Sequence, residues 1–316
     1  MSQKLTLSIT RVAIATALLL CAGPAGLVGR TAATNRTVYV SVVEKSGTSV
    51  TDIKAADLEV KEGGKVMEIV SVRQATAPLR IAVIDSDMGY GAYQAGVQAF
   101  MQKLLGRAEF SLTSVIVQPK KVMNFASDPP TLIKGIESVG RQGVQRGGQL
   151  MEAILDASKD IKAEGKRAVI LVLRVGGEGT SSLSGRDVRE QVRKSGAILY
   201  AISTRGADRA NPSATAGNTG NTMDSYTQQQ QLHQEELTEG AAALQQVLGD
   251  GTRESGGHYD EVVSVSLAKS VEAIAEELLN QYEVVYALPD GVKPSDRLQV
   301  STKRKNVNLW APNHPM

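Results

Sequence analysis

Short apolar runs alternate with helix-length segments through the middle of this 316-residue chain, and this alternation limits the possible folds more than any other feature. The runs at 79–84, 168–173 and 197–203 are typical of strands that are buried on both faces, and residues 110–118 are a further predicted strand. Segments with the apolar spacing of helices occur at 93–105, 132–139, 150–161 and 185–195. This order predicts an α/β fold with a doubly wound, mainly parallel sheet and helices on both faces.

A different pattern precedes this region. Residues 36–75 alternate apolar and polar positions, so that Val38, Val40 and Val42 share one face of a strand. The Gly-Gly pair at 63–64 is a hairpin signal. These features predict a small β module over 36–75.

The remaining boundaries follow from changes in composition. We expect the α/β domain to occupy 78–288, with a flexible polar insertion at 206–239, where Asn, Ser, Thr, Gly and Gln dominate. Strand-like residues at 297–311 form a C-terminal strand region. We expect this region to return to the β module, because unpaired strand material stands at both ends of the chain.

The first thirty residues have the pattern of a signal peptide. Lys4 and Arg11 precede or flank an apolar run at 12–22, and small residues follow it. The run is too short to span a bilayer, so we expect export, a periplasmic or secreted location, and no stable membrane insertion after cleavage. Cys21 is the only cysteine, and cleavage would therefore leave a chain without disulfides.

Composition excludes some classes of partner. The net charge is +2 and aromatic residues make up only 4% of the chain, whereas nucleic-acid binding usually needs a basic stripe and stacking aromatics. We therefore expect a protein partner and no nucleic acid. His233, His258 and His314 are scattered without metal-ligand spacing, which predicts surface histidines.

Four stretches in order resemble the von Willebrand factor A-related proteins that acidobacteria and similar bacteria export. They are DLEVKEGGKVMEIVSV at 57–72, PLRIAVIDSDMG at 78–89, AVILVLRVGGEGTSS at 168–182, and ESGGHYDEV at 254–262 with SVEAIAEELLNQYEVVYALPDG at 270–291. The resemblance covers about residues 37–311. It implies a von Willebrand factor A-like, Rossmann-like fold preceded by a small β module.

The same resemblance implies a metal-ion-dependent adhesion site, in which an Asp-x-Ser-x-Ser loop, a distant Thr and a distant Asp hold Mg²⁺. Here Asp85 matches, but Asp87 and Gly89 replace both serines. The threonine region falls near 146–149, which offers no hydroxyl, and Gly176 stands in the place of the second aspartate. Because Mg²⁺ needs near-octahedral oxygen geometry, we expect no metal and no other cofactor. Mg²⁺-dependent adhesion stays open as an alternative.

The crevice at the carboxyl ends of the strands can still bind a partner without metal, since open α/β sheets place their ligand sites there. The candidate ligand-binding residues are Asp85, Ser86, Asp87, Gly147, Gly148, Gly176, Gly177 and Glu178. The alternative is that these glycines only form the turns left behind by a lost metal site.

An enzyme is a rival hypothesis, because an apolar strand ending in Asp85-Ser86-Asp87 also resembles the nucleophile loop of haloacid dehalogenase-like phosphatases. Gly89 stands where that family has Thr or Val, and no later paired-acid motif follows a strand. We expect no catalytic residues. The sequence therefore favours an exported protein-binding or scaffolding module with a degenerate metal site.

Overall fold

The computed structural model describes residues 34–87, 91–139, 149–175, 181–204 and 239–315. The predicted signal peptide, and the predicted insertion apart from residue 239, lie outside these ranges. The described residues form two six-stranded sheets, and helices cover both faces of the second one.

The first sheet is antiparallel throughout and joins strands from both ends of the chain. Its strands are β1 (Thr34–Glu44), β2 (Leu58–Glu62), β3 (Lys65–Gln74), β10 (Tyr282–Leu288), β11 (Leu298–Thr302) and β12 (Val307–Trp310), in the order β11-β2-β3-β10-β1-β12. The expected return of the C-terminal strands to the β module is confirmed, since β11 pairs with β2 and β12 pairs with β1.

The sequence dictates this sheet through alternation and one tight turn. Val38 and Val40 are fully buried and Val42 nearly so, which places one face of β1 in the core. Gly63 and Gly64 have φ angles of 58° and 80° between β2 and β3. A two-residue hairpin that needs positive φ at both positions favours glycine there.

Strand β10 differs from its expected place. The α/β domain was predicted to run to residue 288, which would place β10 in the second sheet. The structure instead pairs β10 with β1 on one side and β3 on the other, in the first sheet. An apolar run in the sequence predicts that a strand is buried but not which strands it pairs with. The pairing depends on tertiary structure.

The second sheet has the predicted doubly wound architecture. Its strands are β4 (Leu79–Ser86), β5 (Ala108–Val115), β6 (Pro119–Ala126), β7 (Arg167–Arg174), β8 (Ile198–Thr204) and β9 (Tyr259–Val262), in the order β6-β5-β4-β7-β8-β9. All pair in parallel except the edge strand β6. Counted within the sheet, this is the order 3-2-1-4-5-6, whose topological switch point lies between β4 and β7.

The helices form two layers. They are α1 (Gln94–Lys103), α2 (Pro129–Ser138), α3 (Leu150–Asp160), α4 (Gly185–Ser195), α5 (residues 239–246, the π-helical turn Val247–Gly251 and Thr252–Ser255) and α6 (Leu267–Leu279). Helices α1, α2 and α6 bury their apolar residues on one face of the second sheet, and α3, α4 and α5 on the other. Within the described residues, none of the helices has the length and apolarity needed to cross a membrane.

Candidate functional site

The switch point brings the predicted acidic loop to the carboxyl ends of the two central strands. In the β4–β7 pairing, Asp85 lies opposite Leu173, and Ser86 lies opposite Arg174. Asp85 and Asp87 are each only 3% exposed and Ser86 is 6% exposed. The loop is therefore a buried acidic floor at the crevice position of the fold.

Asp85 occupies an environment that disfavours its charge. Burial, and then the nearby charge of Asp87, raise the pKa of the Asp85 carboxyl well above its ordinary value, although the backbone N–H of Asp87 donates a hydrogen bond to it. Its buried Oδ1 atom accepts no hydrogen bond from any described residue. Burial and Asp87 thus both act against ionisation of Asp85.

Tyr93 is hydrogen-bonded to the ends of two strands next to the acidic loop. Its hydroxyl donates a hydrogen bond to the carbonyl oxygen of Arg174 at 2.7 Å, and it also lies 3.3 Å from the carbonyl oxygen of Ile202. Burial and the charge of Asp85 raise the pKa of Tyr93, so the hydroxyl keeps its proton. Tyr93 thus ties the ends of β7 and β8 together beside the acidic loop.

The donor set of this loop fits a resident Mg²⁺ poorly. Asp87 Oδ2 already accepts the backbone N–H of Ala92 at 2.8 Å, and Asp85 lies where a charged carboxylate is disfavoured. In the part of the chain that the structure describes, no cluster of three or more His, Cys, Asp or Glu side chains could hold a metal. These two carboxylates alone do not supply an octahedral shell.

Five of the candidate residues cannot be placed against this loop. Gly147, Gly148, Gly176, Gly177 and Glu178 lie outside the described residues. Their part in the crevice stays a prediction.

Exposed valines flank the acidic loop, and sequence reasoning did not find them. Val117 follows β5 and is 41% exposed, whereas Val263 and Val265 follow β9 and are 50% and 93% exposed. Because β5 and β9 run parallel to the central strands, all three valines lie at the same edge as Asp85. Four strand spacings separate β5 from β9, or about 19 Å.

We call the acidic loop 85–87 together with Val117, Val263 and Val265 the carboxyl rim. The backbone N–H of Gln149, just before α3, donates to the carbonyl oxygen of Val117 at 2.9 Å. The backbone N–H of Ser266 donates to the carbonyl oxygen of Val263 at 2.8 Å. These hydrogen bonds fix the backbone at both ends of the rim, so the valine side chains are presented to solvent from defined positions.

A second polar cluster lies where the two sheets meet. The ring of His258 contacts Glu277 through Nε2 at 3.0 Å and Asp260 through Nδ1 at 3.0 Å, and the hydroxyl of Tyr200 donates to Glu277 at 2.6 Å. The ring of Trp310, from the first sheet, packs against the His258 ring at a centroid distance of 5.4 Å and an interplanar angle of 37°. The cluster therefore joins the two sheets.

The prediction of surface histidines is wrong for two of the three. His258 has a side chain only 14% exposed, and His314 is 6% exposed. Burial alone would lower the pKa of His258, but its hydrogen bonds to Asp260 and Glu277 outweigh burial and raise this pKa to about 10. His233 lies outside the described residues.

Comparisons with known proteins give similarities of fold. No protein-family model and no curated protein matches the chain. A structure described as conserved hypothetical protein BatB from Bacteroides thetaiotaomicron is 15% identical, over 64% of this chain and 97% of that one, with a TM-score of 0.42. A von Willebrand factor type A structure from Catenulispora acidiphila is 10% identical, over 89% and 72%, with a TM-score of 0.41.

The pilus adhesin SpaC from Lactobacillus rhamnosus GG is 8% identical, over 82% of this chain and 47% of that one, with a TM-score of 0.40. Structures described as von Willebrand factor A domains are thus among those similar to this chain. We draw no functional conclusion from likenesses of this size. The doubly wound fold is established by the strand order and register given above.

Proposed function

We propose that this chain is an exported protein-binding module that docks a partner protein on its carboxyl rim without a metal ion. The observation that carries the proposal is the placement of exposed valines on both sides of the switch point. Single exposed valines are ordinary on a protein surface. Here three exposed valines lie along the edge where open α/β sheets place their ligands, and this placement supports an interface at that edge.

The buried acidic loop favours binding over catalysis. A phosphatase of the haloacid dehalogenase type would need Asp85 as an ionised nucleophile, assisted by Mg²⁺. Here Asp85 is 3% exposed and its pKa is raised by burial and by Asp87. A buried carboxyl whose ionisation is disfavoured is a poor nucleophile and a poor metal ligand, and both properties support binding over catalysis.

The location outside the cytoplasm rests on the signal-peptide pattern of residues 1–30. In the periplasm or at the cell surface, the module would hold a partner protein against a scaffold that combines both sheets.

The test is cross-linked affinity capture from an envelope extract with wild-type protein and single-residue variants. Val265→Asp and Val263→Asp place a charge on the carboxyl rim, and Val66→Asp is the matched control, because Val66 is 62% exposed on β3 of the first sheet. We expect a protein that wild type and the control capture equally, with about tenfold or greater loss in the rim variants, since an unpaired charge in an apolar contact costs more than about 1.4 kcal/mol. Equal capture by all four proteins would place the interface elsewhere.

A separate experiment tests the alternative of Mg²⁺-dependent adhesion. Calorimetric titration of Mg²⁺ and Mn²⁺ into the mature protein should give no binding heat, and EDTA should leave partner capture unchanged. Binding that Asp85→Ala abolishes would support Mg²⁺-dependent adhesion or a phosphatase, and a phosphate-release assay would separate those two.

A further inference from the structure

A cleft lies at the opposite end of the second sheet from the carboxyl rim. It has a volume of about 380 Å³ and is lined by Tyr39 of β1, by the residues that begin β7, by the C-terminal end of α4 and by Pro315. The ionisable groups among its lining residues are Lys166, Arg167, Arg193, Lys194 and the phenol of Tyr39, so the lining that the described residues form carries four cations and no carboxylate. The cleft is therefore basic, although the chain as a whole is nearly neutral.

Arg167 is the unusual member of this lining. It is 2% exposed, and its hydrogen bonds to described residues all go to neutral oxygens. Its Nε donates to the carbonyl of Ala77 at 3.0 Å, and its Nη1 donates to the carbonyl of Leu278 at 2.8 Å and to the side-chain oxygen of Gln281 at 2.9 Å. Nη2 donates to none of the described residues, and none of their carboxylates lies within 4.0 Å of the guanidinium.

The other cations of the cleft already have partners. Lys166 lies 2.8 Å from Glu109, and Arg193 and Lys194 lie 2.9 Å and 3.6 Å from Glu190. Arg167 alone among the four is buried without an opposite charge, and burial lowers its pKa to about 10, so that it still carries its proton at neutral pH. Buried charges in proteins are normally paired, because an unpaired one loses its hydration without compensation.

We propose that this cleft binds a small organic anion, whose carboxylate or phosphate group pairs with Arg167. Because Nε and Nη1 already donate to protein oxygens, the N–H groups of Nη2 are the ones available to an oxygen of either group. Ala163, Ala168 and Ile198 also line the cleft and offer apolar surface to the body of such a ligand. The volume is at the lower end of the range for small-molecule sites, so the ligand is small. This site is independent of the carboxyl rim and of the protein partner proposed for it.

Calorimetric titration with benzoate and with phenyl phosphate, at low ionic strength, tests the proposal. We expect dissociation constants of about 1 mM or tighter for at least one ligand. Benzoate binding alone would identify a carboxylate site, phenyl phosphate binding alone a phosphate site, and binding of both a general oxyanion site. Arg167→Met should weaken binding at least tenfold, whereas Arg253→Met, which removes an exposed cation paired with Asp250 elsewhere, should leave it unchanged.

Arg167 also ties together Ala77, Leu278 and Gln281, so its removal can unfold the protein. In that case the double variant Lys166→Gln/Lys194→Gln, at more exposed positions, replaces Arg167→Met in the test. We expect it to bind the ligand severalfold more weakly than wild type. The absence of binding heat for both ligands would overturn the proposal, and so would affinity that neither the Arg167 variant nor the double variant changes. Arg167 would then be a structural tie only.

Discussion

Replacing His258 by Gln should remove a pH-dependent part of the stability of this fold. The imidazolium bridges Glu277 and Asp260 and packs against Trp310 at the junction of the two sheets. In the unfolded chain its pKa returns to about 6.5, whereas the folded protein raises it to about 10. The folded state therefore binds the proton more tightly, and this contribution is complete below pH 6.5 and is lost as the pH rises through 10.

The magnitude follows from the same two values. Because one pKa unit corresponds to about 1.36 kcal/mol, the rise from 6.5 to about 10 sets an upper bound of about 5 kcal/mol. The side chain of Asp260 is 46% exposed, so solvent screens its share of the interaction. We therefore expect His258→Gln to lower the free energy of unfolding by about 2–4 kcal/mol at pH 6, part of which is the cost of leaving Glu277 buried without its cation.

Urea unfolding between pH 6 and 10, followed by tryptophan fluorescence, measures this effect. Trp310 is the only tryptophan and contacts the His258 ring, so it reports the junction directly. The difference in unfolding free energy between wild type and His258→Gln should shrink steadily above pH 7. His314→Gln is the matched control, because burial lowers the pKa of His314 and its proton linkage has the opposite sign. A difference that is constant with pH, or that disappears near pH 6.5, would refute the reasoning.

Two further substitutions test the site and the packing. Asp85→Asn should be neutral or stabilising at neutral pH, because burial and Asp87 raise the pKa of Asp85. Wild-type stability should fall relative to the variant as the pH rises above about 3.9, and urea midpoints at pH 4 and 7 measure this difference. A variant that is less stable than wild type at both pH values would show that Asp85 acts as a paired carboxylate. Gly257→Ala should destabilise by about 3 kcal/mol or more, since the added Cβ would lie 2.1 Å from the carbonyl oxygen of Leu199. Gly249→Ala meets nothing within 4 Å and should be nearly neutral in the same thermal melts, so equal shifts in the two variants would contradict the close packing at 257.

Buried strands were predictable from the sequence because burial on both faces leaves a run of apolar residues. The run at 168–173 became β7 with one extra residue at each end, and β11 and β12 lie within the predicted strand region at 297–311. Two strands of the second sheet were missed. The edge strand β6 contains Lys120 and Lys121, which suit an exposed edge and interrupt its apolar pattern. Strand β9 has only four residues, which is too short to show a period.

The site was predictable only as far as topology determines it. Asp85, Ser86 and Asp87 could be located because the carboxyl ends of central strands form the crevice in any doubly wound sheet. The exposure of Val263 and Val265 could not be predicted, since a valine in a sequence resembles a core residue. His258 was misjudged for the converse reason, because its burial depends on Glu277, 19 positions away, and on Trp310 from the other sheet.

Hydrogen bonds at the junction between the two sheets fix the orientation of the first sheet relative to the second. The chain passes from β3 to β4 through residues 75–78, and it returns from α6 to β10 through residues 280–281. These two passages are tied together, because the backbone N–H of Ala75 donates to the carbonyl of Gln281 at 2.8 Å. The side chain of Gln281 also accepts a hydrogen bond from Arg167 and donates one to Ser41 of β1.

Arg167 therefore belongs both to the basic cleft and to the hydrogen bonds that hold the two sheets. An anion bound at Arg167 would supply the carboxylate or phosphate partner that this cation lacks among the described residues, and binding to the folded state alone stabilises that state by mass action. We expect a ligand of the cleft to strengthen the attachment of the first sheet, while the carboxyl rim, at the far ends of the same strands, stays free for a protein partner. Binding at the two ends of the second sheet is then compatible in a single molecule.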